Sequence, residues 1–185
     1  NAISDVTLNL TGDRTDRIAM TSDGLYSFAV VPGSDLTLAP AKESETPANQ
    51  GVTTLDIALI RRHVLGLAAL DSPFRVLAAD VNNSRSVTTL DVILIRRVVL
   101  GLTNAFPAPQ WKFVRSDFTF PDPSMPWVFD GKRSYTEFAN DAANQDFIGI
   151  KLGDANGSWT APAAAQLSRE SASTDANPTP AIPAQ

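Results

Sequence analysis

The chain has 185 residues, 43% of them hydrophobic, and a formal net charge of −5. That is enough apolar residue for a packed core in one domain or two small ones, and the acidic balance argues against a nucleic-acid binder, which would present a basic face. With no cysteine and a single histidine, His63, disulfides, thiolate metal sites and multi-histidine zinc sites are excluded, and no apolar run reaches the length of about 18 residues that spanning a membrane requires.

Residues 1–42 alternate as strands do. VTLNLT (6–11), RIAMTS (17–22), LYSFAVV (25–31) and DLTLAP (35–40) are short and rich in β-branched or aromatic residues, and TGDR, SDG and VPGS between them read as turns. Four strands predict one sheet with an apolar face. A closed sandwich needs more, so this module is expected to lack an edge strand or to borrow one.

Residues 43–102 contain an internal repeat. VTTLDIALIRRHVLGL (52–67) and VTTLDVILIRRVVLGL (87–102) match at 13 of 16 positions with an offset of 35 residues, which chance does not produce. Each copy predicts a helix. Asp56 and Asp91 stand at its start, where a carboxylate suits the dipole. Leu59, Ile60 and Leu65, with Leu94, Ile95 and Leu100, give an apolar face. Gly66 and Gly101 mark the stop, and the arginine pairs 61/62 and 96/97 fall on the other side. His63 stands where the second copy has Val98, so it reads as a half-buried packing position with no partner nucleophile.

Residues 103–147 differ again. Ten aromatic side chains fall between Phe106 and Phe147, while prolines at 107, 109, 121, 123 and 126 forbid a long helix. An irregular, aromatic-pinned excursion is expected, with short strands at WKFV and FTF. Trp111, Trp127, Phe129 and Tyr135 could stack on sugar rings but more often form a satellite core. Asp117, Asp122, Asp130, Glu137, Asp141 and Asp146 show no periodicity that would set two carboxylates face to face as in a glycosidase. No nucleophile elbow, phosphate loop or dinucleotide fingerprint is present, so a non-catalytic role is expected. Residues 161–185, rich in Ala, Pro, Ser and Thr, read as a linker or tail.

The stretch DVNNSRSVTTLD (80–91) raises a chemical possibility. A 12-residue calcium loop supplies oxygens from places 1, 3, 5, 7, 9 and 12. Those places hold Asp80, Asn82, Ser84, Ser86, Thr88 and Asp91. Place 12 is Asp where Glu is usual, and place 6 is Arg85 where glycine is usual, which demands a positive φ there. A polar turn with Asp91 capping the helix is the plainer alternative.

A duplicated calcium loop whose helices follow the pattern T-x-L-D-x-x-x-(L/I)-R-R-x-(I/V)-L-G resembles the dockerin family. The resemblance implies two antiparallel loop–helix units, each holding Ca²⁺, that dock a secreted or surface protein onto a cohesin-like partner. Arg62 and Arg97 match the basic helix positions that meet that partner. The strand region with TSDGLYSFAVVPG resembles, more weakly, carboxypeptidase-regulatory or surface-adhesin B-type β-sandwich modules.

The chain departs from the dockerin pattern in its first copy. Aligning Asp56 on Asp91 puts Glu45, Pro47, Asn49, Gly51 and Thr53 at ligand places 1, 3, 5, 7 and 9, and the proline spoils the front half. Residues 154–158, DANGS, carry Asp154, Asn156 and Ser158 at spacing 1, 3, 5, a front half with no back half. A split site is therefore expected, in which this segment folds back to complete the loop that ends in Asp56; an ordinary Asx turn is the alternative.

The expected class is α+β: a small antiparallel β-sandwich-like module (1–42), then a dockerin-like pair of calcium loop–helix units (43–160) with an irregular aromatic-rich insertion (103–147), then a tail (161–185). The expected role is a calcium-stabilised, non-catalytic module of a secreted or cell-surface bacterial protein, acting in anchoring, spacing or assembly through a protein partner. The alternatives are a subunit of an extracellular polymer that exchanges strands or tails, and a carbohydrate-binding module.

Overall fold

The structure is a computed structural model that describes residues 3–19 and 24–160. The expectations for 161–185, and for residues 20–22 of the second expected strand, lie outside the described residues. The chain is α+β, with antiparallel sheets and three helices among the described residues.

β1 (Val6–Gly12) alternates buried and half-exposed residues through Leu10, the period-2 pattern of a strand with one covered face. It pairs on one side with β2 (Asp16–Ala19) and on the other with β3 (Ser34–Lys42). Leu8, Leu10, Leu36 and Leu38 line the covered face, with Leu10 opposite Leu38 in register. The fourth strand is not LYSFAVV. Residues 26–30 run extended across the apolar face and press Tyr26, Phe28 and Val30 onto it, but their amide groups donate to no backbone carbonyl among the described residues. The open edge of β3 is taken instead by β5 (Arg133–Phe138), giving the order β2-β1-β3-β5. The sheet does borrow a strand, from the aromatic excursion.

The two repeat copies form α1 (Thr54–Val64) and α3 (Thr89–Val99). Their starts are capping boxes: Thr53 and Thr88 cap the helix, while Asp56 and Asp91, three residues on, accept from the cap's own N–H. Each helix stops in a Schellman motif. Gly66 and Gly101 take φ of +68° and +69°, and the following Leu67 and Leu102 N–H groups donate back to Arg62 and Arg97 carbonyls at 2.9 Å. Ile60 and Ile95 are fully buried in one cluster with Val52, Val81, Val98, Phe106, Leu152 and Ala155. Leu65 and Leu100 are not part of that face. They lie past the last helical turn and are more than half exposed. His63 is half-buried as expected, its Nδ1 accepting from the Leu70 N–H at 3.2 Å.

Between the copies lies α2 (Pro73–Ala79), which begins at the Ser72 cap with proline at its first turn and ends at Asp80. It buries Val76 through Ala79, and so fixes where the 80–91 loop begins. β4 (Trp111–Arg115) and β6 (Phe147–Lys151) form a two-stranded sheet. FTF is no strand; Phe118 and Phe120 pack edge to face at 5.1 Å beneath it, with Phe74 of α2, Trp127 and Phe129.

Candidate metal centre

Asp80 ends α2 and Asp91 stands in the first turn of α3, so two helices with opposite tasks deliver the two carboxylates to one loop. Both side chains are fully buried. Asp80 is held by the turn that follows it: Ser84 N–H donates to its Oδ1 at 2.9 Å and Arg85 N–H to its Oδ2 at 3.0 Å. Asn82 Oδ1 accepts from the same Ser84 N–H at 3.0 Å. The Ser84 hydroxyl donates to the Ser86 carbonyl at 3.2 Å. Asp91 Oδ1 accepts from Val81 N–H at 3.1 Å, and its Oδ2 from the Thr88 N–H and hydroxyl at 2.9 and 3.2 Å. Arg85 takes φ +62°, the left-handed geometry that place 6 demands. Thr88 is turned to the helix, where it accepts from Leu90 N–H.

Asp56 and Asp154 form a second pair, from segments far apart in sequence. Asp56 is fully buried and Asp154 is 7% exposed. Asn156 N–H donates to Asp56 Oδ1 at 3.0 Å across 100 residues. The local pattern repeats that of the continuous loop almost bond for bond. Ser158 N–H donates to Asp154 Oδ1 (2.9 Å) and to Asn156 Oδ1 (2.8 Å), and Trp159 N–H to Asp154 Oδ2 (2.8 Å), as Ser84 and Arg85 do around Asp80. Thr53 N–H and hydroxyl donate to Asp56 Oδ2 at 2.7 and 2.9 Å, as Thr88 does to Asp91. The Ser158 hydroxyl donates to the Gly51 carbonyl at 3.3 Å, matching Ser84 on Ser86, because Gly51 is place 7 of the first copy. Arg75 of α2 steadies the Asn156 carbonyl at 3.5 Å.

The front half that the first copy abandoned has another task. Glu45, at its place 1, accepts from Lys151 Nζ at 2.7 Å and from Trp159 Nε1 at 3.0 Å. Gln110 joins them, accepting from Lys151 at 2.9 Å and from Glu45 N–H at 2.9 Å. This buried polar knot ties β6 and the 154–159 segment to the approach to α1.

The electrostatics of both pairs are unbalanced. Among the described residues none of Asp56, Asp80, Asp91 and Asp154 is ion-paired with Lys, Arg or His. Lys112, half-buried, feels the field of Asp80 and Asp91 but bridges neither. Burial, and then the charge of Asp80, push the Asp91 carboxyl above its ordinary value, against the pull of its Thr88 hydrogen bonds. Burial, and then the charge of Asp56, do the same to Asp154 against the Trp159 and Ser158 N–H groups. Two like charges taken out of water together are unfavourable unless something positive joins them.

No protein-family profile, curated protein or solved structure matches the chain.

The donor chemistry suits a hard cation. Each pair gathers carboxylate, amide, hydroxyl and backbone carbonyl oxygens with no sulfur and no imidazole, the set that calcium takes. A carboxylate has about four lone-pair sites; Asp91 and Asp56 each use three on N–H and O–H donors, which leaves one to face an ion. Charge is the weak point. Nowhere among the described residues do three or more His, Cys, Asp or Glu side chains converge, so each ion would meet two carboxylates and complete its shell with water at the exposed Ser84 and Ser158 rims.

Arg62 and Arg97, the expected partner contacts, are exposed on the outer side of the helix pair. Trp111 is buried and sets its ring against Trp159 at 4.9 Å, and Trp127 and Phe129 pack against the core beneath β4. Trp127, Phe129 and Tyr135 are half-buried, and Tyr135 packs instead against Phe138 on the four-stranded sheet. No helix among the described residues is long and apolar enough to cross a membrane.

Proposed function

We propose that the chain is a non-catalytic, calcium-stabilised module of a secreted or cell-surface bacterial protein, dockerin-like in its helix pair, that serves anchoring or assembly through a protein partner. The observation that carries this reading is the closeness of two fully buried carboxylates, Asp80 and Asp91, in a loop of calcium spacing, with Lys112 near enough to feel both but no ion pair to either among the described residues. Bound Ca²⁺ supplies the positive charge that this pair lacks. The chain's own part is to hold Asp80 by the 84–85 turn and Asp91 by the Thr88 cap, with Asn82 and Ser86 supplying further oxygens in the same loop.

Two carboxylates make a weak site, of the order of 10⁻⁴–10⁻³ M, the range of extracellular calcium modules. Such a site fills outside cells and stays empty in cytosol, which supports the secreted assignment. At about 1 mM calcium each filled site adds about 0.5–1.5 kcal/mol, so the melting temperature should rise on adding calcium and fall again with chelator. Calorimetric titration gives the stoichiometry. An unchanged melt together with no binding heat at millimolar calcium defeats the reading.

The pH dependence has a definite sign. Without metal, the raised Asp91 pKa makes that group's contribution most favourable below its ordinary 3.8, and the contribution is lost as pH rises through the raised value. Calcium requires the ionised form, so its own contribution is present near neutral pH and lost as pH falls through the same window. The melting gap between calcium-loaded and metal-stripped protein should therefore be widest near neutrality and narrow on acidification. Melts across a pH series check this; a gap that stays flat or widens in acid contradicts it.

The partner face is supported by the repeat itself. Leu55, Leu65 and Leu67 in one copy, and Leu90, Leu100 and Leu102 in the other, are each more than half exposed around Arg62 and Arg97. A docked partner covering both copies would bury these leucines together. Calcium-dependent retention of a cohesin-like protein, lost in the R62A/R97A variant, is the expected result.

One observation favours assembly by strand exchange as a second reading. The amide groups of residues 26–30 donate to no backbone carbonyl among the described residues, which would leave them free to take a neighbouring strand. Self-association that grows with concentration and is insensitive to calcium would select it.

A further inference from the structure

We propose that the cavity beneath residues 24–30 binds a small organic cation, an alkylated ammonium group carried on an apolar or aromatic body. The site shares no residue with the loop at 80–91 and does not depend on calcium there.

The cavity exists because of how residues 26–30 cross the sheet. A segment laddered onto β3 would lie in the plane of the sheet. These residues instead run over its apolar face and pack Tyr26, Phe28 and Val30 against the leucine cluster of β1 and β3. They do not fill it. A cavity of about 710 Å³ remains, floored by Leu10, Leu36 and Leu38 and walled by the 24–30 segment and the 139–146 loop. Close-packed interiors leave few voids larger than a water molecule. Pockets of roughly 300–1,000 Å³ with mostly apolar walls and a few polar groups are the kind that take a small ligand.

The lining sets the chemistry of the occupant. Four aromatic rings line the cavity in two edge-to-face pairs, Tyr26 with Phe28 at 6.3 Å and Tyr135 with Phe138 at 5.1 Å. Both phenol hydroxyls are spent on Gln145, Tyr26 on its carbonyl and Tyr135 on its Oε1 at 2.8 Å. The rings therefore offer their π-systems rather than free donors. Asp141 and Asp146 stand at the exposed rim, and neither is ion-paired among the described residues. Among the described residues no lysine, arginine or histidine lines the cavity. Arg133, whose field reaches Tyr26 and Tyr135, is committed to Asp117 at 3.0 and 3.2 Å. Ring faces carry negative potential and the rim carboxylates add to it, so the cavity favours a positive charge and disfavours an anion. A bare, strongly hydrated cation would lose its water against rings and leucines without replacement. An alkylated ammonium carries its charge inside an apolar shell and suits both the rings and the floor.

The test is calorimetric titration of the full chain with benzyltrimethylammonium, with benzyl alcohol as its neutral counterpart, phenylacetate as its anionic one and cellobiose as a sugar. The cation should bind saturably at one site, about two- to thirtyfold tighter than benzyl alcohol, with phenylacetate and cellobiose weaker still. D141N/D146N should lower the cation's affinity and leave that of benzyl alcohol unchanged; both residues are exposed, so the variant should fold. F28L/F138L keeps the cavity apolar while removing two rings, and should bring the cation down towards benzyl alcohol; its melting curve shows whether the sheet still forms. Benzyl alcohol, phenylacetate or cellobiose binding as tightly as the cation overturns the proposal. So does a cation affinity that folded D141N/D146N and F28L/F138L both leave intact. The absence of saturable binding at millimolar cation overturns it as well, and a chain that self-associates under those conditions has a neighbouring copy in the cavity instead.

Discussion

Ile95→Ala is expected to lower the stability of the chain by about 2–5 kcal/mol, the range for truncating a fully buried isoleucine into a cavity that its neighbours cannot fill. Ile95 is fully buried in the cluster where α1 and α3 meet, together with Ile60, Val81, Phe106 and Leu152. Those neighbours come from four separate stretches of chain, so relaxation around the missing atoms would have to move a helix, a loop and the start of the 152–159 segment together. For a chain of this length each kcal/mol is worth about 2–4 °C of melting temperature, so the fall is of the order of 10 °C. Ile60→Ala should cost a similar amount, because the repeat places it at the same depth. The double variant should lose less than the sum, since one enlarged cavity collapses better than two. Calcium should recover only part of the loss, because its contribution at millimolar concentration is smaller than that of the core. Urea denaturation with and without calcium measures all four values. A loss below about 1 kcal/mol for either single variant would show that the helix pair is not where the chain's cohesion lies.

What was legible in the sequence follows from the range of the interactions involved. The helices announce themselves locally. Their caps, apolar faces and glycine stops all lie within a few residues, and each is written twice. The loop at 80–91 is likewise a run of successive residues. The meeting of residues 154–158 with Asp56 was legible only because a duplication supplies a template: the missing front half shows as a gap, and DANGS as its match. Other features depend on distant partners. LYSFAVV has a strand's composition and alternation, yet it is extended without a ladder, because the edge it would have paired with is occupied by β5 from more than 90 residues away. Nothing in RSYTEF says which edge it will join. Leu65 and Leu100 continue the helical spacing, but the Schellman turn swings them outward before the next turn can bury them. The α2 helix carried readable signals, Ser72 before Pro73 and a buried apolar run. It is only seven residues long, too short to show a helical period, and it has no second copy to mark it. Its placement matters, since its last residue leads straight into Asp80.

Gly51→Ala is the second change with a large expected effect, and it strikes the contact between residues 51–56 and 154–159 without touching a carboxylate. Gly51 takes φ +74°, a conformation that an L side chain enters at about 1–2 kcal/mol. A methyl group there would meet Trp159 Cβ at 2.7 Å and Trp159 Cα at 2.8 Å. The second contact is to backbone, which cannot swing away as a side-chain tip can. Overpacking of this kind costs about 1–3 kcal/mol, so the total is about 2–5 kcal/mol unless the 154–159 segment gives way. Its hold on the rest of the chain decides which happens. The segment is anchored on one side by Leu152 and Ala155 in the core and on the other by the Trp159–Glu45 bond. The softer element is the turn at 156–159, and the strain should open it, drawing Asp154 and Asn156 away from Asp56. The expected outcome is a chain whose 154–159 segment has come away from residues 51–56 and which is more susceptible to proteolysis near Trp159. Limited proteolysis, read beside the melting temperature, tests this directly. If the Gly51→Ala chain loses stability yet keeps the parent's cleavage pattern, the close approach of Gly51 to Trp159 is packing alone.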